Sequence, residues 1–158
     1  MKKIYFTVAF AALTLTSCKT TLSSPYSDSE VVSHPTQGAV VLRGTSDEID
    51  GKKKEIGTKA RRAAHKKALQ QLFYFGFVGT DFKNPMIREG ISVETKHKAF
   101  FDKFWEGGYE RFITDSKTEF YGCKNKSKCA TATSTFTVNY NMLRKELEDN
   151  KIINKIGF

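Results

Sequence analysis

The sequence predicts an α+β fold, a small antiparallel sheet of three to four strands with helices packed mainly on one face, in the order β-α-α-β-β-α. Three observations carry this reading. Between Lys52 and Phe75, the residues Ile56, Ala60, Ala64, Ala68 and Leu72 recur every four positions, the period of a helix with one apolar face. From Ala130 to Tyr140, the residues Ala132, Ser134, Phe136, Val138 and Tyr140 alternate with threonines, the period of a strand. Phe100, Phe101, Phe104 and Trp105 form the apolar stripe of a second helix.

The remaining elements follow in chain order. Ala39-Val40-Val41-Leu42-Arg43 is a β-prone run that Gly44 ends, and residues 45–51 form a polar loop. The helix over 52–75 comes next; its alanines are small enough to let its axis lie close to a sheet, and Gly76 is its stop. Residues 77–90 carry Gly79, Pro85 and no period, which reads as a long connection. A second helix runs from Val93 to Glu106, with Ser92 as N-cap and Gly107-Gly108 after its end. Residues 109–121 are extended, with a break near Asp115-Ser116, and the strand over 130–140 pairs back on them. Asn141 caps a final helix through Asp149 whose Met142, Leu143 and Leu147 face inward, and the apolar tail 152–158 docks on the core.

The first eighteen residues have a different character. Lys2 and Lys3 precede an apolar run from Ile4 to Leu15, interrupted only by Thr7 and Thr14, and Leu15-Thr16-Ser17-Cys18 closes it. This is the pattern of a cleaved export leader, too short for a spanning helix of about 20 residues. Its Leu-Thr-Ser-Cys ending resembles the lipobox of bacterial lipoproteins. That resemblance implies cleavage before Cys18, lipidation of its sulfur with palmitate-type chains, and residence in the cell envelope, with the periplasmic or surface face of the outer membrane as the expected site. Each buried methylene contributes about 0.8 kcal/mol and one acyl chain holds only marginally, so the two or three chains of a lipoprotein make a firm anchor. The expected organisation is a signal peptide over 1–17, the lipidated cysteine and a Ser/Thr-rich flexible tether over 18–37, and a single domain over 38–158.

Cys123 and Cys129 flank Lys124-Asn125-Lys126-Ser127-Lys128, where two extended segments turn back on each other. In an exported chain the surroundings are oxidising, and a disulfide clamping this hairpin is expected. Closing so short a loop contributes roughly 2 kcal/mol in the chain-entropy account. A metal site needs more ligands than two thiols. His65 and His97 lie on separate predicted helices and His34 in the tether, so neither metal nor cofactor is expected.

Charge is unevenly placed. Removing Lys2 and Lys3 with the leader lowers the formal net charge of +9 by two, and the eight cations between Lys52 and Lys67, opposed only by Glu55, account for all that remains. Outside the cytoplasm such a face meets lipid headgroups, lipopolysaccharide phosphates or other anionic envelope polymers rather than nucleic acid. Arg61, Arg62, Lys66 and Lys67 are the candidate anionic-surface contacts; the alternative is that these charges simply solvate the helix.

The cluster Phe73-Tyr74-Phe75-Gly76-Phe77 and the second helix's aromatic stripe fit either a core or a ligand platform, and aromatics at helical spacing favour the core. There is no Gly-x-Ser-x-Gly, paired-histidine metal motif or phosphate loop, and nothing marks two of Asp102, Glu106, Asp115 and Glu119 as a catalytic pair. The helix Ala60-Arg61-Arg62-Ala63-Ala64-His65-Lys66-Lys67-Ala68-Leu69, and the passage from Phe136-Thr137-Val138 into Leu143-Arg144-Lys145-Glu146-Leu147, are similar to small envelope lipoproteins related to the N-terminal domain of a flagellar-assembly protein. That resemblance implies an α+β envelope domain with no known catalytic residues. The expectation is thus a membrane-anchored envelope lipoprotein serving as a non-enzymatic structural or interaction module, its partner an anionic polymer or an envelope protein. The alternative is a small-ligand or glycan-binding module using the aromatics of 73–82. An enzyme ranks third and needs a cleft that holds His65 or His97 against a carboxylate.

Overall fold

The computed structural model describes residues 29–124 and 126–155, so the leader, Cys18 and the last three residues lie outside the described part. The chain forms β1 (Glu30–Ser33), β2 (Ala39–Thr45), β3 (Ile49–Asp50), α1 (Lys53–Tyr74), α2 (Val93–Lys96), α3 (Lys98–Glu106), β4 (Ile113–Gly122), β5 (Cys129–Asn139) and α4 (Tyr140–Asp149), with 3-10 turns at Gly90–Ser92 and Gly108–Phe112. All pairings are antiparallel, and β5 is the centre of the sheet. Along one edge it pairs with β4, from Ile113 opposite Val138 to Gly122 opposite Ala130. Along the other it takes β2, from Ala39 opposite Asn139 to Thr45 opposite Thr133, and then β3, with Asp50 opposite Cys129. β1 lies on the outer side of β2.

The class is the α+β arrangement that the two periodicities predict. Ala132, Ser134, Phe136 and Val138 are buried under α1. The threonine row of β5 faces the other way, where Arg43 Nε donates to Thr135 Oγ1 at 3.2 Å. α1 seats itself through Ala60, Ala64 and Ala68, all fully buried. Gly44 does not end its strand; it lies in line within β2, opposite Ser134. Its missing side chain is what admits the helix, because a Cβ there would stand 2.3 Å from the Ala64 carbonyl oxygen and 2.9 Å from the Ala68 Cβ.

The core continues from Leu69, Leu72 and Phe73 of α1 to Phe101 and Phe104 of α3, Tyr109, Phe112, and Leu143 and Leu147 of α4. Ile152 is buried in the same cluster, so the described part of the tail docks as expected.

Further details differ from the sequence reading. The segment expected to be extended from Tyr109 begins as a 3-10 turn through Phe112, and the strand starts only at Ile113. Glu30–Ser33, inside the segment read as a flexible tether, forms β1, because the outer edge of β2 still has backbone groups to pair. The polar loop contains β3, two residues that continue β2's pairing along β5. The helix expected over 93–106 is broken at His97, whose φ of −112° and ψ of 38° leave the helical region, and Ser92 does not cap it: the hydroxyl donates to the Glu89 carbonyl at 3.0 Å. The cap of α4 is Asn139, whose Oδ1 accepts from the Met142 N–H at 2.9 Å, so Tyr140 opens that helix instead of closing the strand. Met142 is consequently turned outward, 50% exposed, while Leu143 and Leu147 are buried as expected.

The Cys123–Cys129 disulfide is present, with Cα atoms 5.5 Å apart across the mouth of the β4–β5 hairpin.

Candidate functional site

The basic residues of α1 do not form one free patch. Arg62 Nε lies 3.3 Å from Glu110 and Lys67 Nζ 3.3 Å from Asp47. Lys66 Nζ stands 5.1 Å from the centre of the Trp105 ring, a cation–π distance. Arg61 is half-buried, its Nε enclosed without a hydrogen-bond partner. Successive positions on a helix point about a third of a turn apart, so these four residues spread over the flank facing Glu110 and Trp105 and the flank facing Asp47.

A polar seam lies beneath α1. His65 Nε2 is 2.8 Å from Ser134 Oγ and 3.3 Å from Ser116 Oγ, and Ser134 Oγ is 2.9 Å from Thr118 Oγ1. Phe136 packs on the imidazole at 4.4 Å between ring centres, and Tyr109 meets it edge-on at 6.0 Å. Burial, and secondarily the Arg61 charge, lower the His65 pKa to about 4, so the ring is neutral at pH 7. A histidine so depressed is a weak general base. It is also only 4% exposed, with its Nδ1 lacking a protein partner and hence the carboxylate that orients a catalytic imidazole. What the seam does is satisfy polar groups that α1 covers on β4 and β5. The sequence reading places Ser134 on the inward face. The signal it leaves unused is that a buried hydroxyl requires a partner, which His65, next to the alanine row, supplies.

The aromatic candidates divide between core and surface. Phe73, Tyr74 and Phe77 are buried, while Phe75 is 66% exposed at the end of α1. Glu94 Oε1 accepts from Tyr74 Oη at 2.6 Å and from Trp105 Nε1 at 3.0 Å, fastening α1, α2 and α3 together. Burial and that hydrogen bond raise the Tyr74 pKa well above the usual phenol range, and burial raises that of Tyr109 to about 12. Phe82 makes tilted ring contacts with His34 and Tyr140, at 4.4 and 5.0 Å between ring centres. Beside it opens a polar cleft of about 500 Å³ between the long connection and α4, with Pro85, Arg144 and Lys151 on its walls. A second cleft, of about 580 Å³, lies where α3 meets α4, and His97 and Glu146 both line it. Glu146 is committed there to an ion pair with Arg111.

Glu48 has a carboxylate oxygen within 4.8 Å of both hairpin sulfurs, but these are joined to each other and are not thiolate ligands. Among the described residues no helix is long and apolar enough to cross a membrane. Comparisons of the chain with protein-family models, curated proteins and solved structures find no match.

Proposed function

We propose that the chain is a membrane-anchored lipoprotein of the bacterial cell envelope, acylated on Cys18 after removal of residues 1–17, whose domain acts as a non-enzymatic structural or interaction module. One observation carries the reading. Of the three cysteines, Cys123 and Cys129 are joined in the hairpin, and the third stands at the end of a lipobox-like leader. A bridged pair suits an oxidising compartment, and an unpaired cysteine directly after an apolar leader suits lipid attachment.

The test is the mass of the N-terminal peptide of the protein recovered from bacterial membranes. The expected result is a chain beginning at Cys18 with acyl chains on it, and a Cys18→Ser variant that is recovered unacylated with the leader retained. A wild-type chain with a free Cys18 thiol overturns the reading.

The cleft beside Phe82 and Tyr140 favours a second reading, a small-ligand or glycan-binding module. It requires that glycan binding be lost in Tyr140→Ala while the fold is kept.

A further inference from the structure

We infer that the end of the domain carrying the disulfide hairpin is a second membrane contact, which lies against anionic phospholipid headgroups of the bilayer in which Cys18 is anchored. The inference rests on the lipoprotein reading.

Two separate segments bring lysines to this end. Lys52, Lys53 and Lys54 lead into and open α1, and Lys124, Lys126 and Lys128 come from the hairpin loop; all six are exposed. The segments are held together by the Gly51 N–H donating to the Lys128 carbonyl at 3.1 Å and by Asp50 opposite Cys129. Lys52, Lys53 and Lys128 share the rim of one shallow depression. Of the six, Lys126 is answered within the chain, by Glu48 at 2.9 Å and Asp50 at 3.8 Å. The others leave a net positive surface. Lysines are also costly where α1 begins, since the helix dipole is positive there and Lys52 makes no capping bond. Local stability does not explain three of them in a row.

Phe120 gives the patch an apolar component. It is 54% exposed on β4 and lies on the α1 side of the sheet, 3.6 Å from the Cβ position of Gly57 in the second turn of α1. An exposed aromatic ring beside lysines is the composition of a surface that lies in the headgroup region of a bilayer.

The tether is long enough for this contact. Glu30 pairs with Arg43 and Arg43 with Thr135, so the described chain begins beside the middle of β5, about equally far from its hairpin end and its α4 end. Ten residues lie between Cys18 and Ser29, and the eleven steps from one to the other span at most about 40 Å at full extension. That reach lets the lysine end of the domain lie against the bilayer, and the choice of this end rests on its lysines and Phe120. A lipid anchor combined with a basic patch is the usual pair of signals for stable membrane association.

The experiment measures sedimentation of residues 18–158 carrying Cys18→Ser with vesicles of phosphatidylcholine alone or mixed with phosphatidylglycerol. The protein is expected to bind only the mixed vesicles, more weakly as salt rises. Each lysine removed should cost about five-fold, so Lys52→Gln, Lys53→Gln and Lys54→Gln together lower binding about a hundred-fold. Phe120→Ser lowers it as well, and Lys83→Gln with Lys145→Gln, away from this end, leaves it unchanged. Circular-dichroism melts confirm that each variant is folded. Equal binding to both vesicle types, or an equal loss in the Lys83/Lys145 variant, overturns the inference. Because the acyl group is absent from every sample, these outcomes are separate from the mass measurement that tests lipidation.

Discussion

Replacing Gly44 with alanine tests how the helix is held on the sheet. The added Cβ would meet the Ala64 carbonyl oxygen at 2.3 Å and the Ala68 Cβ at 2.9 Å, where ordinary contacts lie near 3.5 Å. The nearer obstacle is backbone, so no rotamer change relieves it and α1 must lift by about 1 Å along its alanine row. Overpacking of this kind costs about 1–3 kcal/mol, and lifting α1 also stretches the bond between His65 and Ser134, now 2.8 Å, worth about 1 kcal/mol. The expected loss is about 3 kcal/mol. With an unfolding entropy of about 2.1 cal/mol/K per residue over ~120 residues, that lowers Tm by ~12 °C. Urea unfolding followed by circular dichroism reads it directly, and adding Ala68→Gly should recover only a minor part. Gly51→Ala is the control, because nothing lies near its Cβ position. If Gly44→Ala unfolds within about 1 kcal/mol of the parent, inside the ordinary range of a surface change, the close seating of α1 through its alanines is wrong.

Three further outcomes are expected. Replacing both Cys123 and Cys129 with serine should cost about 2 kcal/mol for so short a loop, seen as a lower urea midpoint; an unchanged midpoint would mean the hairpin holds its shape without the bridge. His65 is kept neutral in the fold, its pKa lowered by burial to about 4 from the 6.5 of an ordinary histidine. Its contribution is therefore complete above about pH 6.5 and is lost as pH falls toward 4, by up to about 3 kcal/mol. His65→Gln should flatten that part of the stability–pH profile, and an identical profile in the variant would assign the slope to other groups. Asn139→Ala should cost about 1 kcal/mol through loss of the α4 cap, whereas Asn141→Ala should cost less than half of that. The reverse order in thermal melts would return the cap to Asn141.

The parts of the fold legible in the sequence are those whose residues repeat a pattern over several turns or several pairs. The alanine row of α1 and the alternation in β5 are long enough to be unambiguous, and together they dictate which face meets which. β1 and β3 are four and two residues long, and they exist because a neighbouring strand offers unpaired backbone, which no local composition records. Gly44 reads in the sequence as the end of its strand, and only the position of α1 shows that the glycine serves a close approach instead. The two asparagines at the start of α4 are both good caps by type; the register of β5 with β2, ending at Asn139 opposite Ala39, selects the earlier one. The site behaved similarly. The concentration of charge on α1 is visible in the sequence, but the groups that Arg62, Lys66 and Lys67 meet, Glu110, Trp105 and Asp47, are remote in sequence from them. The lysines that converge from the hairpin and the start of α1 are some seventy residues apart in the sequence, and the pairing of β3 with β5, with the bond from the Gly51 N–H to the Lys128 carbonyl, brings them together.

The position of β5 governs when this protein can fold. It pairs with β2, β3 and β4 and lies under α1, yet it occupies residues 129–139 of a 158-residue chain. A ribosome delivers the N-terminal end first, so β2 and α1 emerge with their apolar faces uncovered and wait for β5, which begins more than fifty residues after α1 and more than eighty after β2. Pairings of such long sequence separation form slowly, and surfaces that await them are prone to aggregate. The sheet therefore cannot close until Asn139 is available, and its completion is among the last steps of folding.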